Sequence, residues 1–303
     1  MDYSKIPALL LLAISMLVCL LSGTIGNLYS KKYISSVRDR FFYSIISQSF
    51  AAIALFLLSG LKIKCSVYTV IMAICFGAIT MLQSLASLSA LSLGPWSYTS
   101  VISSSSTVFT AFSGFLFWNE KLPTTKIIGI SLMLVSLLFA TAKGKNEKKT
   151  SLKWFAFALS TAVLTACVGL LQKVHQNSAY RQELSQFLII AFISSVLFNT
   201  IAYFVSKRFV KNEVATVCLK QKIMSKKILF LGMVAVGIFV ALNNEFNLYL
   251  VGTMDSAVFF PMVNGGGLIL NVLTSALLFK EKLSVKQTIG VLLGIMATLL
   301  LCR

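Results

Sequence analysis

Ten long apolar runs, separated by short polar or basic stretches, make up nearly the whole chain. They lie near residues 7–30, 41–60, 67–92, 96–118, 124–142, 154–174, 186–206, 228–250, 256–279 and 285–301. A helix needs roughly 20 apolar residues to cross a hydrocarbon core of about 30 Å, so each run predicts one transmembrane helix. Pro95 and Pro123 fall where the fourth and fifth helices begin, a position at which the missing N–H is harmless. The first run is too long for a signal-peptide core, lacks a small-x-small cleavage site and is followed by further spans. It therefore reads as the first helix.

The polar segments between the runs repeat. Asn119 to Gly129 reads NEKLPTTKIIG, and Lys280 to Gly290 reads KEKLSVKQTIG, with Glu120 matching Glu281 and Gly129 matching Gly290. Each copy sits between two apolar runs, so the duplicated unit is a helical hairpin inside a tandem repeat. A charged linker, 143–153, separates five helices in residues 1–142 from five in residues 154–303. Five is odd, so the second half enters the membrane from the opposite side. The expected fold is all-α, with ten transmembrane helices in two inverted five-helix repeats. Gly26 to Lys31 and Gly169 to Lys173 match more weakly at the ends of the first and sixth helices. The loop Lys207 to Lys227 reads either as an amphipathic surface helix or as a solvated basic loop.

Composition agrees with this pattern. A mean hydropathy of +0.86, 57% apolar residues and 12% charged residues lie far from soluble domains, where roughly a quarter of residues are charged. A net charge of +18 would suggest nucleic acid in a soluble chain. Here Lys and Arg lie almost wholly between the runs, so the expected surroundings are membrane lipids and no nucleic acid partner is expected. In a ten-span arrangement most of the 27 Lys and Arg fall on the side opposite both termini, and the positive-inside rule then puts the termini outside. Cys19, Cys65, Cys75, Cys167, Cys218 and Cys302 form no CxxC and no Cys/His cluster. They read as free thiols, with no metal and no cofactor expected.

The chain resembles the drug/metabolite transporter superfamily, specifically its ten-helix, two-repeat EamA-type members. The resemblance rests on Phe117-Trp118-Asn119-Glu120-Lys121-Leu122, on Phe279-Lys280-Glu281-Lys282-Leu283, on the following Ile-Gly pairs, and on Ala90-Leu91-Ser92-Leu93-Gly94-Pro95. It implies a pathway surrounded by helices one, three, four, six, eight and nine, and both termini inside, against the charge count. The expected location is a plasma membrane, the bacterial inner membrane, as a monomer or homodimer.

Glu245 is the carboxylate placed deep within a run. A charge at that depth costs at least about 2.5–3.5 kcal/mol on insertion scales, so it should face a cavity or a partner. It reads either as a neutral glutamate hydrogen-bonded within a polar helix interface, or as a carboxylate that contacts substrate or exchanges protons. Asn243, Asn244 and Asn247 stand beside it in sequence. The corresponding stretch of the third helix offers Gln83 but no acid, so the negative charge comes from the second half alone. Ser103 and Ser104 in the fourth helix match Asn264, Gly265 and Gly266 in the ninth. Small residues there serve close packing; alternatively Pro261 and the glycines weaken the ninth helix and free backbone groups, with Asn264 and Asn271 offering donors and acceptors. Lys173 either snorkels to the interface or reaches inward to Glu245 or an anionic substrate group.

Glu120 and Glu281 lie at helix ends beside lysines. An interfacial ion pair, or a contact to the start of another segment, accounts for them, and an exposed pair contributes about 0–1 kcal/mol. His175 reads as a solvated residue at a helix end, and Trp96, Trp118 and Trp154 as interfacial anchors. Gly290 and Gly294 suggest that helices five and ten pack together and hold the halves.

The expected function is secondary active transport of a small polar metabolite, amino-acid-like or similar, by alternating access, with coupling to protons or to exchange. The runner-up is efflux of organic cations by the same fold. An intramembrane transferase would need clustered carboxylates, histidines or a metal site, and a membrane scaffold has no need of Glu245. No Walker-type GxxxxGK[ST] occurs, so ATP coupling within the chain is unsupported.

Overall fold

The computed structural model describes residues 3, 6–33, 36–61, 64–93, 102–103, 105–140, 151–209, 227–267, 269–270 and 285–301. No strand occurs among them. In chain order the helices are α1 (Ala8–Lys32), α2 (Val37–Leu58), α3 (Val67–Leu93), α4 (Ser106–Trp118), α5 (Thr124–Ala140), α6 (Leu152–Gln176), α7 (Leu184–Phe209), α8 (Lys227–Thr253), α9 (Ser256–Phe260) and α10 (Val285–Leu301). A π-helical segment, Pro261–Gly266, continues α9.

Six helices are long and apolar enough to cross a membrane: those containing Ala8–Gly26, Val37–Leu58, Val67–Ser87, Leu152–Gln176, Leu184–Ser206 and Lys227–Thr253. The described parts of α4, α5 and α10 are apolar but shorter. Burial follows the same logic. Leu57, Leu116, Leu197, Phe204 and Leu299 face outward, while Ser15, Asp39, Thr107, Ser113, Gln172, Lys173 and Glu245 are buried. Apolar side chains outside and polar ones inside suit hydrocarbon surroundings, where polar groups must find partners within the protein. The protein is an all-helical, membrane-embedded chain.

Two compact units form, one from Met1–Met81 with His175–Tyr249, the other from Leu82–Val174 with Leu250–Arg303. Each draws residues from both sides of the 143–153 linker.

In the first unit small residues let helices approach closely, since lipid offers no hydrophobic drive between them. A Cβ on Gly77 of α3 would lie 2.8 Å from the Ala191 carbonyl of α7, and one on Gly237 of α8 would lie 2.4 Å from the Ser47 carbonyl of α2. The Tyr29 hydroxyl of α1 donates to the Leu229 carbonyl of α8. Ser36 caps α2, its hydroxyl accepting the Asp39 N–H at 3.1 Å.

In the second unit α5 packs along α10, as the small residues of those helices suggest. A Cβ on Gly129 would meet Leu301 at 2.9 Å, one on Gly294 would meet Ser136 Oγ at 2.7 Å, and Ser136 donates to the Gly290 carbonyl at 2.6 Å. Ile130, Met133, Ile269, Val291, Ala297 and Leu301 form the apolar core of this pairing. Trp154 is not an exposed anchor: it is buried with Ala90 and Ala158.

Candidate functional site

Glu245 lies in the C-terminal half of α8 and is 1% exposed. Its Oε1 accepts a 2.8 Å hydrogen bond from Ser185 of α7. Its Oε2 has no hydrogen-bond partner among the described residues. A further neighbour precedes α1. Tyr3 is buried, with its hydroxyl in hydrogen-bonding range of the Glu245 carboxylate. Its ring stands edge-on to Phe246, centroids 5.7 Å apart, and tilted against Tyr249 at 5.3 Å. Burial, and then the adjacent carboxylate, push the Tyr3 hydroxyl above its ordinary pKa.

The three asparagines do not form one cluster with Glu245. Positions two apart on a helix point about 200° from one another, and the hydrogen bonds follow that geometry. Asn243 donates to the carbonyl and hydroxyl of Ser15 in α1, both at 3.0 Å. Ser15 donates to Asn247 Oδ1 at 2.7 Å, and Asn247 Nδ2 donates back to Asn243 Oδ1 at 3.2 Å. This closed triad fastens α1 to α8. Asn244 turns away and donates to the Val240 carbonyl of its own helix at 2.9 Å.

Lys173 does not snorkel outward. It is 4% exposed; its Nζ lies 2.8 Å from Glu120 Oε1 and donates to the Met254 carbonyl at 3.0 Å. Glu120 in turn is not an exposed ion pair. Asn119 ends α4 in the left-handed conformation, φ 52°, and the Asn119 and Glu120 N–H groups both return to the Gly114 carbonyl. That turn folds the Glu120 side chain back against Gly114, where a Cβ would lie 2.0 Å from Oε2. The carboxylate then accepts the Ser256 N–H at 2.7 Å and its hydroxyl at 3.2 Å, at the start of α9. Its repeat partner Glu281 lies outside the described residues, as do Ser104 and Asn271.

Gln83 of α3 donates to Thr165 of α6 at 3.0 Å. Ser103 is half-buried in a short helical stretch ahead of α4. The weakening foreseen at Pro261 takes the form of the π-helical segment, in which Asn264 is half-buried and Gly265 and Gly266 are buried. Gly265 packs directly on α5, where a Cβ would meet Met133 Sδ at 2.6 Å. Pro supplies no N–H to the ladder, and π turns interrupt helices at such points.

A second carboxylate cap went unnoticed in the sequence. Glu183, just before α7, accepts the Ser66 N–H on both oxygens at 3.0 Å and the Ser66 hydroxyl on Oε2 at 2.8 Å, at the start of α3. Desolvation alone would raise its pKa; hydrogen bonds from Thr69 and Ser66, and the nearby His175, outweigh it and hold Glu183 below the ordinary carboxylate range. His175 is fully buried rather than solvated. Its Nε2 lies 3.1 Å from Thr69 Oγ1 and its Nδ1 lies 3.2 Å from Gln176 Nε2, with Phe187 against the ring at 4.4 Å. No group of His, Cys, Asp and Glu able to hold a metal occurs among the described residues.

No protein-family model and no curated protein matches the chain. A solved structure, described only as the crystal structure of a protein, is similar with a TM-score of 0.72 at 12% sequence identity, over 96% of this chain and 98% of the other. At that identity the likeness concerns the fold alone.

Proposed function

We propose that the protein is a secondary active transporter that moves a small polar metabolite by alternating access, with coupling to protons or exchange. The observation that carries this reading is Glu245: a fully buried carboxylate inside a membrane-length helix, with one oxygen bonded to Ser185 and the other without a partner among the described residues. Such a group is expensive in a span and is kept where it meets a substrate or a proton. In its protonated form the free oxygen donates to a ligand; in its ionised form it accepts from one.

The π-helical segment supports the reading, since irregular backbone within spans serves binding sites. So does the tandem repeat of Glu120 and Glu281 with Gly129 and Gly290, which agrees with two inverted five-helix halves, ten spans and the EamA-type resemblance. On this reading the protein resides in a plasma membrane, the bacterial inner membrane.

The test is thermal unfolding of the detergent-purified chain, wild type beside Glu245→Gln, against amino acids, organic cations, nucleosides, sugars and phosphorylated metabolites. A ligand at about 100 times its dissociation constant stabilises the folded state by roughly 2.7 kcal/mol. A stabilisation present in wild type and lost in Glu245→Gln supports the proposal. The absence of any stabilising small molecule, or one retained in full by the variant, counts against it.

A further inference from the structure

We propose that Glu183 is a positioning residue for Glu245: by tying the first turn of α7 to α3, it holds the Ser185 hydroxyl on Glu245 Oε1. The inference rests on Glu245 being the working carboxylate of the transporter proposed above.

The tie is a capping box completed between two helices. Ser66 is the N-cap of α3, its carbonyl accepting the Val70 N–H at 3.2 Å and its hydroxyl oxygen the Thr69 N–H at 3.2 Å. In a box within one helix, an acidic or amide side chain three residues past the cap reaches back to the cap's own N–H. Thr69 holds that position here and carries no such group. Glu183 supplies it from the start of α7, accepting the Ser66 N–H on both oxygens at 3.0 Å and the Ser66 hydroxyl at 2.8 Å.

Thr69 extends the tie to α6. The Gln176 amide nitrogen faces His175 Nδ1 at 3.2 Å and the Arg181 carbonyl at 3.4 Å. An amide nitrogen only donates, so Nδ1 accepts, and the His175 proton is assigned to Nε2, which donates to Thr69 Oγ1 at 3.1 Å. The Thr69 hydroxyl is then directed to Glu183.

Glu183 also begins α7, since its carbonyl accepts the Phe187 N–H at 2.9 Å. Ser185 follows two residues later, in the turn whose own N–H groups have no intrahelical acceptor, and donates to Glu245 Oε1 at 2.8 Å. Beyond that turn α7 is held independently. Phe187 is buried against His175 and Phe76, with ring centroids 4.4 and 5.5 Å away, and Gly77 of α3 packs on the Ala191 carbonyl. Loss of Glu183 therefore frees the turn that carries Ser185 and leaves the rest of α7 in place.

The test uses the full chain in detergent and the apolar reagent dicyclohexylcarbodiimide, which adds to protonated, membrane-buried carboxylic acids and reaches Glu245 more readily once Ser185 has left Oε1. Modification is followed by peptide mass spectrometry in wild type, Glu183→Ala, Glu183→Gln, Ser185→Ala and Glu183→Ala/Ser185→Ala, with Glu120 as internal control. Glu183→Ala and Ser185→Ala should each label Glu245 about tenfold faster than wild type, equivalent to about 1.4 kcal/mol. The double variant should be no faster than either single one, because Glu183 acts through Ser185. Glu183→Gln, which keeps an acceptor for the Ser66 N–H, should fall between wild type and Glu183→Ala. Glu120 labelling should not change in any of them.

A wild-type rate of Glu245 modification in Glu183→Ala would overturn the proposal. So would multiplied effects in the double variant or a parallel rise at Glu120, either of which would mean general loosening. These outcomes are distinct from failure of the transport reading, because labelling needs no substrate and no gradient.

Discussion

Lys173 and Glu120 form a buried ion pair, Nζ to Oε1 2.8 Å, with side chains 5% and 13% exposed. It ties α6 to the turn after α4 and, through the Met254 carbonyl and the Ser256 N–H, to the connection between α8 and α9. Removing one partner of such a pair leaves an uncompensated charge, at a cost of about 3–5 kcal/mol. Glu120→Ala should lower the thermal unfolding midpoint sharply. The double variant Glu120→Gln/Lys173→Met should be less destabilised than the sum of its single changes, because neither charge is then stranded. Additive losses would show that the pair does not act as a unit.

Gly114 makes room for that pair. A Cβ there would lie 2.0 Å from Glu120 Oε2 and 2.7 Å from Ser256 Cβ. Overpacking of this kind costs about 1–3 kcal/mol. Gly114→Ala should reproduce part of the Glu120→Ala loss of stability and cost less in the Glu120→Ala background, where the carboxylate is gone and only the Ser256 contact remains. A neutral Gly114→Ala would contradict the folded-back geometry.

Glu183 gives a pH dependence with a defined sign. Its folded pKa lies below the ordinary value of 4.5, because the hydrogen bonds from Thr69 and Ser66 favour the ionised form over the opposing desolvation. Its contribution to stability is therefore fully present above the ordinary value and is lost as pH falls through the folded one. The difference in melting temperature between wild type and Glu183→Gln should be constant near neutral pH and shrink below about pH 4.3. A difference that grew on acidification would reverse this assignment.

The Ser15, Asn243 and Asn247 triad joins α1 to α8 by direct side-chain bonds. Hydrogen bonds between membrane helices contribute about 0.6 kcal/mol on average and at most about 1.7. Ser15→Ala should thus destabilise modestly, by about 1 kcal/mol, seen as a small fall in the thermal unfolding midpoint. An unchanged midpoint would mean that the triad contributes nothing to the junction of α1 and α8.

The helical class and the membrane environment were legible in the apolar runs, because nearly every described helix coincides with one. The depth of Glu245 and the break at Pro261 were legible too, since each violates the local pattern of its run. Partnerships were not. Lys173 and Glu120 lie far apart in sequence, and only the left-handed turn at Asn119 brings the carboxylate back to meet the lysine. Asn243, Asn244 and Asn247 sit beside Glu245 in the chain yet bond elsewhere, because helical rotation separates neighbours that a linear reading groups. Tyr3 carried no signal, being one aromatic residue ahead of an apolar run. Ser15, isolated within its run, and Glu183, an acid just ahead of a span, were signals that could have been read as a polar helix contact and a cap.

The central claim is that the Glu245 carboxylate takes part in transport, and flux through it is the direct measure. The stabilising ligand found in the thermal panel is labelled and its entry into proteoliposomes is followed for wild type and for Glu245→Gln, with equal folded protein in each. Saturable entry that responds to an imposed pH gradient or to unlabelled ligand on the far side, and that falls to the level of empty vesicles in Glu245→Gln, is the result predicted. Entry by the variant at the wild-type rate, with the same response to the gradient, would contradict it.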